Sequence, residues 1–159
     1  MNIHRKEKGF TIIEVVLVLA IAGLIFLMVF IALPALQRSQ RDTQRKNDLS
    51  RIVTALASYQ SNNRGSLPDA GSSDPNQTWA GFVTRYIRTA GDTFVDPSGE
   101  DYIVSVGEDA PATFSATTPN IVVVLNSKCD GEGTLDAQGS RKVAFLMKLE
   151  GSGVTCQNN

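Results

Sequence analysis

Histidine is almost missing from this chain: of 159 residues only His4 is one. A body without imidazole has no Ser-His or Cys-His pair, no histidine general base and no histidine metal ligand. Cysteine is scarce as well, with only Cys129 and Cys156. The formal net charge is −1, so there is no cationic excess of the kind a general nucleic-acid binder carries. Glycine is absent from Ala35 to Asn63, and charge is absent from Val15 to Leu36. As a helix this uncharged run would be about 33 Å long, enough to cross a bilayer. An ordinary secretory signal has a shorter apolar region, roughly 7–15 residues, followed by a small-residue cleavage site. Here the run is longer and no Ala-x-Ala pattern follows, so the apolar helix is expected to stay on the protein. The length then allows one soluble domain beyond that segment.

What the sequence does have begins with a short charged leader, Met1 to Gly9, which runs into Phe10-Thr11-Ile12-Ile13-Glu14. Glu14 is a carboxylate at the head of an apolar stretch. A charge within a membrane segment costs at least about 2.5 kcal/mol on insertion scales, so a partner is expected for it. The flanks carry Arg5, Lys6 and Lys8 on one side and Arg38, Arg41, Arg45, Lys46 and Arg51 on the other. Counted alone, these charges point the C-terminal side toward the cytoplasm. The cysteine pair points the other way, since two cysteines beyond a membrane segment in an exported chain most simply form one disulfide. Such a bond would close a loop of about 27 residues, worth about 3.5 kcal/mol in the chain-entropy picture.

Past Pro34 the sequence turns polar, yet Leu49, Ile52, Val53 and Leu56 recur at helical spacing. The pattern predicts one long helix from Thr11 to about Asn62, apolar all round at first and amphipathic later. Pro34 should bend it. Asn62-Asn63-Arg64-Gly65-Ser66-Leu67-Pro68 should end it, because Asn and Gly tolerate a left-handed cap and Pro cannot continue a helix. Ser66 to Gly99 reads mainly as loop, with a short helix from Trp79 to Ile87. Three strands are predicted: Tyr102 to Val106, Ile121 to Leu125, and Val143 to Leu149. The second is β-branched throughout most of its length and suits burial on both faces. An antiparallel sheet packed on the amphipathic half of the helix is the economical arrangement, giving an α+β fold.

The stretch Lys8-Gly9-Phe10-Thr11-Ile12-Ile13-Glu14-Val15-Val16, continuing through Gly23 and Pro34-Ala35-Leu36-Gln37, resembles type IV pilins and pilin-like proteins. Asp48 to Pro68 resembles the family's helix exit, so the specific likeness covers about the first 68 residues. The resemblance implies a pilin fold: a long N-terminal helix on a small antiparallel sheet, with a disulfide-closed C-terminal region. In that frame residues 1–9 are a cleaved leader and 10–36 a membrane and filament-core helix. Residues 37–62 continue the helix, 63–100 form the αβ-loop, and 101–159 form the sheet and disulfide region. A prepilin peptidase would cut between Gly9 and Phe10 and methylate the new Phe10 amine. Glu14 would pair with the Phe10 amine of a neighbouring copy as helices pack into a filament. Other copies, other pilins and an inner-membrane assembly platform are the implied partners. The implied route runs from single-pass prepilin in the cytoplasmic membrane, with its C-terminal domain outside, to an extracellular pilus. One departure is visible: the helix proline stands about three residues later than the family's usual place, a shift of about 4.5 Å along the axis.

The leading reading is therefore a structural subunit of a type IV pilus serving adhesion, motility or DNA uptake, and not an enzyme. A type II secretion pseudopilin shares the same N-terminal residues. A tip-located minor pilin, binding a host surface or DNA through its head, is a further alternative. The basic run Arg38 to Arg51 is the DNA candidate, but no aromatic residues interleave with it, and a solvated face or pairing with acids of neighbouring copies suits it better. Asp130, Glu132 and Asp136 stand in a glycine-rich loop and offer oxygen ligands for Ca²⁺. They fail the EF-hand spacing, so a plain hairpin loop is the preferred reading and no metal or cofactor is expected. Gly23 would permit close approach between packed helices.

Overall fold

The computed structural model describes residues 9–69, 71–89, 91, 93–131, 133 and 135–159. The leader up to Lys8 and the loop residue Glu132 lie outside the described residues. Two compact units are present, residues 1–37 and 38–159.

Helix α1 runs Ile12–Asn62, 51 residues, with Pro34 inside it. Its first half offers no buried apolar residue: Ile12, Leu24, Phe30 and Leu36 are all exposed. Its second half is amphipathic as the spacing predicts, burying Leu49, Ile52, Leu56 and Tyr59 on one face. The exit also follows the prediction in kind. Arg64 and Gly65 take left-handed angles (φ 57° and 81°), and the Gly65 N–H reaches back to the Gln60 carbonyl at 2.7 Å. Gly65 is one of the residues the exit stretch offered for a left-handed cap, and Arg64 shares the turn with it.

After α1, a single 3-10 turn at Pro75–Gln77 leads into α2, Trp79–Val83. The Thr78 hydroxyl caps α2 by accepting the Gly81 N–H at 3.1 Å. Gly81 is obligatory there, because a Cβ at that position would lie 1.9 Å from the Pro75 carbonyl oxygen. The helical path continues as a π-turn over Thr84–Arg88. The expected helix from Trp79 to Ile87 is thus present, but its winding changes halfway.

The main sheet has strands β1 (Ile103–Val106), β2 (Asn120–Leu125), β5 (Val143–Lys148) and β6 (Val154–Asn158), in spatial order β1-β2-β5-β6. A separate hairpin pairs β3 (Ser127–Cys129) with β4 (Leu135–Ala137). Pairing of β5 with both neighbours is antiparallel. β1, however, runs parallel to β2, which corrects the expectation of a wholly antiparallel sheet. A parallel pair needs a connection of roughly a dozen residues to return the chain to the starting end, and residues 107–119 supply it.

One hydrophobic core joins the amphipathic half of α1, α2 and the sheet. Leu49, Ile52, Leu56 and Tyr59 meet Trp79, Phe82, Phe94, Tyr102, Ile121, Val123, Val143, Phe145 and Met147. The opposite face of β5, Ala144 and Leu146, is also fully buried. β3 lies against β5 and β6 on the sheet and is tied to it by the Cys129–Cys156 disulfide, with Cα atoms 5.8 Å apart. The disulfide pairing expected from sequence is therefore present.

Candidate functional site

The N-terminal segment holds the first set of chemically distinctive residues. Phe10 projects into open space, and the apolar side chains from Ile12 to Leu36 have no partner among the described residues. The helix is long and apolar enough to cross a membrane. Glu14, the sole charge in this segment, is engaged within its own chain. Its Oε2 accepts the Thr11 backbone N–H at 2.8 Å and the Thr11 hydroxyl at 2.7 Å. The Glu14 N–H in turn approaches the Thr11 hydroxyl oxygen at 3.4 Å. Thr11 and Glu14 thus form a reciprocal cap over the first turn, satisfying helix N–H groups that have no partner within the helix. The carboxylate also sits where the helix dipole favours a negative charge. The Thr-x-x-Glu spacing was legible in the sequence as a capping signature, yet the resemblance drew attention to the carboxylate alone. Both Thr11 bonds go to one oxygen, and among the described residues Oε1 accepts none. Beside it lies an open hollow of about 280 Å³ walled by Phe10, Val15, Val18 and Leu19.

A second cluster lies where residues 38–51 of α1 join the rest of their unit. Arg45 is 1 % exposed and sits between three carboxylates. Its guanidinium makes a fork with Asp96 (Nε–Oδ1 2.7 Å, Nη2–Oδ2 2.9 Å) and donates to Asp42 at 2.8 Å and Glu150 at 3.3 Å. The Phe114 ring stacks over it, 4.5 Å from the guanidinium carbon. Arg41 forks onto Glu150, and Asp42 accepts the backbone N–H groups of Glu150 and Gly151 at 3.0 and 2.9 Å. One turn on, Asp48 holds Arg51 at 2.9 Å and the Tyr102 hydroxyl at 3.1 Å.

These contacts set the charge states. Burial opposes ionisation of Asp96, but Arg45 and the Ser98 hydroxyl and N–H outweigh it and hold the carboxyl below its ordinary range. Arg41 does the same for Glu150, with Arg45 assisting. Burial also opposes charge on Arg45, but Asp96 and Asp42 overcome it and keep the guanidinium cationic. Burial and the nearby Asp48 and Asp96 carboxylates push the Tyr102 phenol far above its usual value.

The basic run therefore does not form a free cationic stripe. Arg41, Arg45 and Arg51 each pair with acids of their own chain. Nothing local in the sequence marked Glu150 as the partner of Arg41, because the two are 109 positions apart. Of the calcium candidates, Asp136 stands in β4 opposite Lys128, and Glu132 is outside the described residues. Among the described residues no group of three His, Cys, Asp or Glu side chains is placed to hold a metal.

No curated protein and no solved structure matches this chain. Residues 4–30 match the family model of the prokaryotic N-terminal methylation motif, the class III signal peptide of type IV pilins.

Proposed function

We propose that this chain is a structural subunit of a type IV pilus, made as a membrane-anchored prepilin and polymerised through its N-terminal helix. The methylation motif at residues 4–30 supports a type IV pilin-like or pseudopilin protein. The observation that carries the finer reading is the exposed apolar helix with one carboxylate, half-satisfied, at its head. Cleavage of the Gly9–Phe10 peptide bond would create a cationic amine on Phe10, next to Glu14. When such a helix leaves lipid and enters a bundle, an isolated buried charge costs several kcal/mol, whereas a paired one is tolerated and fixes register. The Thr11 cap engages one Glu14 oxygen within its own chain until a neighbour's Phe10 amine approaches the other. Assembly, not catalysis, is the activity in this reading. Other copies, a prepilin peptidase and an assembly platform are its partners, and the two-cysteine head favours a pilus subunit over the secretion pseudopilin.

The test is intact-mass and N-terminal peptide mass spectrometry on sheared surface fractions and membranes of the native cell. A chain beginning at N-methylated Phe10 in the sheared fraction is the expected result. The same mature chain confined to membranes would support the pseudopilin reading. A chain still beginning at Met1 would overturn both.

A further inference from the structure

The four-stranded sheet ends in two open edges, β1 on one side and β6 on the other. On β1 the Ile103 and Gly107 N–H groups bond inward, to the Pro119 and Val123 carbonyls. Alternation therefore turns the Val104 and Val106 N–H groups outward, and among the described residues they have no acceptor. β6 alternates in the same way. The Gly153 carbonyl accepts the Leu149 N–H and the Asn159 N–H bonds to the Val143 carbonyl, so Val154, Cys156 and Asn158 present their backbone outward. A row of unpaired backbone groups is a template for another strand. The β1 edge adds apolar surface: Ile103, Val106 and Leu125 are the exposed large hydrophobics among the described residues from 38 to 159.

The two edges differ in charge. Glu100 and Asp101 precede β1, with Asp101 3.4 Å from Arg88. Glu108 and Asp109 follow it, exposed and in no ion pair among the described residues. β6 ends beside cations instead. Asn159, which follows it, accepts the Lys142 ammonium on its carbonyl oxygen at 2.9 Å and donates its side-chain amide to the Arg141 carbonyl at 3.0 Å. Arg141 and Lys142 are both exposed, and neither meets an acidic side chain among the described residues. Two β1 edges would set acids against acids, whereas a β1 edge and a β6 edge attract. Direction agrees with charge. β1 is parallel to β2, and β5 is antiparallel to both β2 and β6, so β1 and β6 run the same way. Copies oriented alike therefore meet β1 to β6 as a parallel pair.

We propose that the open β1 edge docks the β6 edge of a second copy, joining the two sheets head to tail by strand addition. The common orientation of the copies rests on the pilus reading above. In a parallel pair the Val104 N–H would reach the Val154 carbonyl of the second copy, and the Val104 carbonyl its Cys156 N–H, which sets Val104 opposite Thr155. Ile103 then stands opposite Val154, and Val106 opposite Gln157. Val104 and Thr155 lie in register with core residues Ile121 and Met147 and share the face toward α1. Ile103 and Val154 share the other face, so no side chain is forced to the wrong side. The same register brings Glu108 opposite Asn159, next to Lys142. Each copy uses two different edges, so the contact is heterologous and can repeat along a fibre.

The test uses the full chain in its native cell, with sheared-fibre yield and cross-linking as readouts. A carbodiimide joins a carboxylate to an amine only where the two touch, and it should link Glu108 or Asp109 to Lys142 in dimers from fibres. Val106→Pro deletes an outward N–H that the β1–β2 ladder does not use. Its thermal midpoint in detergent should be little changed while fibre yield falls about ten-fold or more. Glu108→Lys with Asp109→Lys should lower yield similarly through like charge, and adding Arg141→Glu with Lys142→Glu to the same chain should restore it. Failure of that four-fold chain to recover would overturn the register. Wild-type yield from Val106→Pro and from the doubly charge-reversed chain, with no Lys142 link in the dimers, would overturn the docking and leave the pilus reading standing. Absence of fibres from wild-type cells would overturn both.

Discussion

Two side chains make the sharpest predictions at the scale of single residues. Glu14→Val removes the only acid able to meet a neighbour's Phe10 amine in the apolar bundle. An uncompensated buried charge costs about 3–5 kcal/mol, so the assembly equilibrium should fall at least ~100-fold while membrane insertion is unaffected. Sheared-fibre yield against membrane-fraction yield measures this; wild-type fibre yield would remove Glu14 from the mechanism. Thr11 is expected to act through Glu14. Thr11→Val loses the cap, worth about 1 kcal/mol, and should lower fibre yield a few-fold, whereas Thr11→Ser should behave as wild type. Equal loss in both variants would mean that the threonine serves by shape and not by its hydroxyl. Arg45 is the head's counterpart. Asp96 is 1 % exposed, and Arg45→Ala would strand its carboxylate. The expected destabilisation is about 3–5 kcal/mol, a fall of roughly 10 °C or more in the thermal midpoint of residues 38–159 by circular dichroism. A shift within a degree or two would show that water enters and solvates Asp96.

At the scale of elements, the legible parts of the fold were those whose signal is periodic and local. Leu49, Ile52 and Leu56 repeat at helical spacing, so α1 could be read with its buried face. β2 is dense in β-branched residues and β5 alternates with Val143, Phe145 and Met147 on one face, so both could be read within a residue or two. What escaped was non-local or weakly patterned. β3 and β4, at Ser127–Cys129 and Leu135–Ala137, carry no alternation that propensity can detect, and β6 is largely polar, ending Gln157-Asn158. They are strands because of what they pair with, and the disulfide is part of that cause. The same holds for the candidate site. The Thr11–Glu14 cap lies within one turn and was readable, as was Asp42 beside Arg45, while the other two Arg45 partners, Asp96 and Glu150, come from loops 51 and 105 positions away. The hairpin's dependence on its cross-link is testable. Cys129→Ser should cost residues 38–159 about 3.5 kcal/mol on the chain-entropy account, measured by urea unfolding. Loss of less than about 1 kcal/mol would show that the β3–β4 hairpin holds β6 by packing and needs no cross-link.

At the scale of the whole molecule, the chain divides its labour between two units with opposite relations to water. Among the described residues, those from 9 to 37 carry apolar surface with no partner, and the buried core lies within residues 38–159. The second unit should therefore fold without the first, and its stability should report its own ionic cluster. Asp96 and Glu150 both have folded-state values lowered below their ordinary 3.8 and 4.5. A lowered carboxyl contributes stability that is fully present above the unfolded value and is lost as pH falls through the folded one. Unfolding free energy of residues 38–159 should thus be level, so far as these two groups are concerned, from neutrality down to about pH 5, then decline below about pH 4.5. Asp96 should carry more of that decline than Glu150, because Glu150 is partly exposed and solvent screens its pairing with Arg41. Chemical denaturation across pH 3 to 7 on the wild type and on Glu150→Gln tests both statements, with Glu150→Gln expected to keep most of the acid-side loss. A profile that stays flat below pH 4 would show that the ionic cluster adds nothing to the folded state beyond what its groups retain in the unfolded chain.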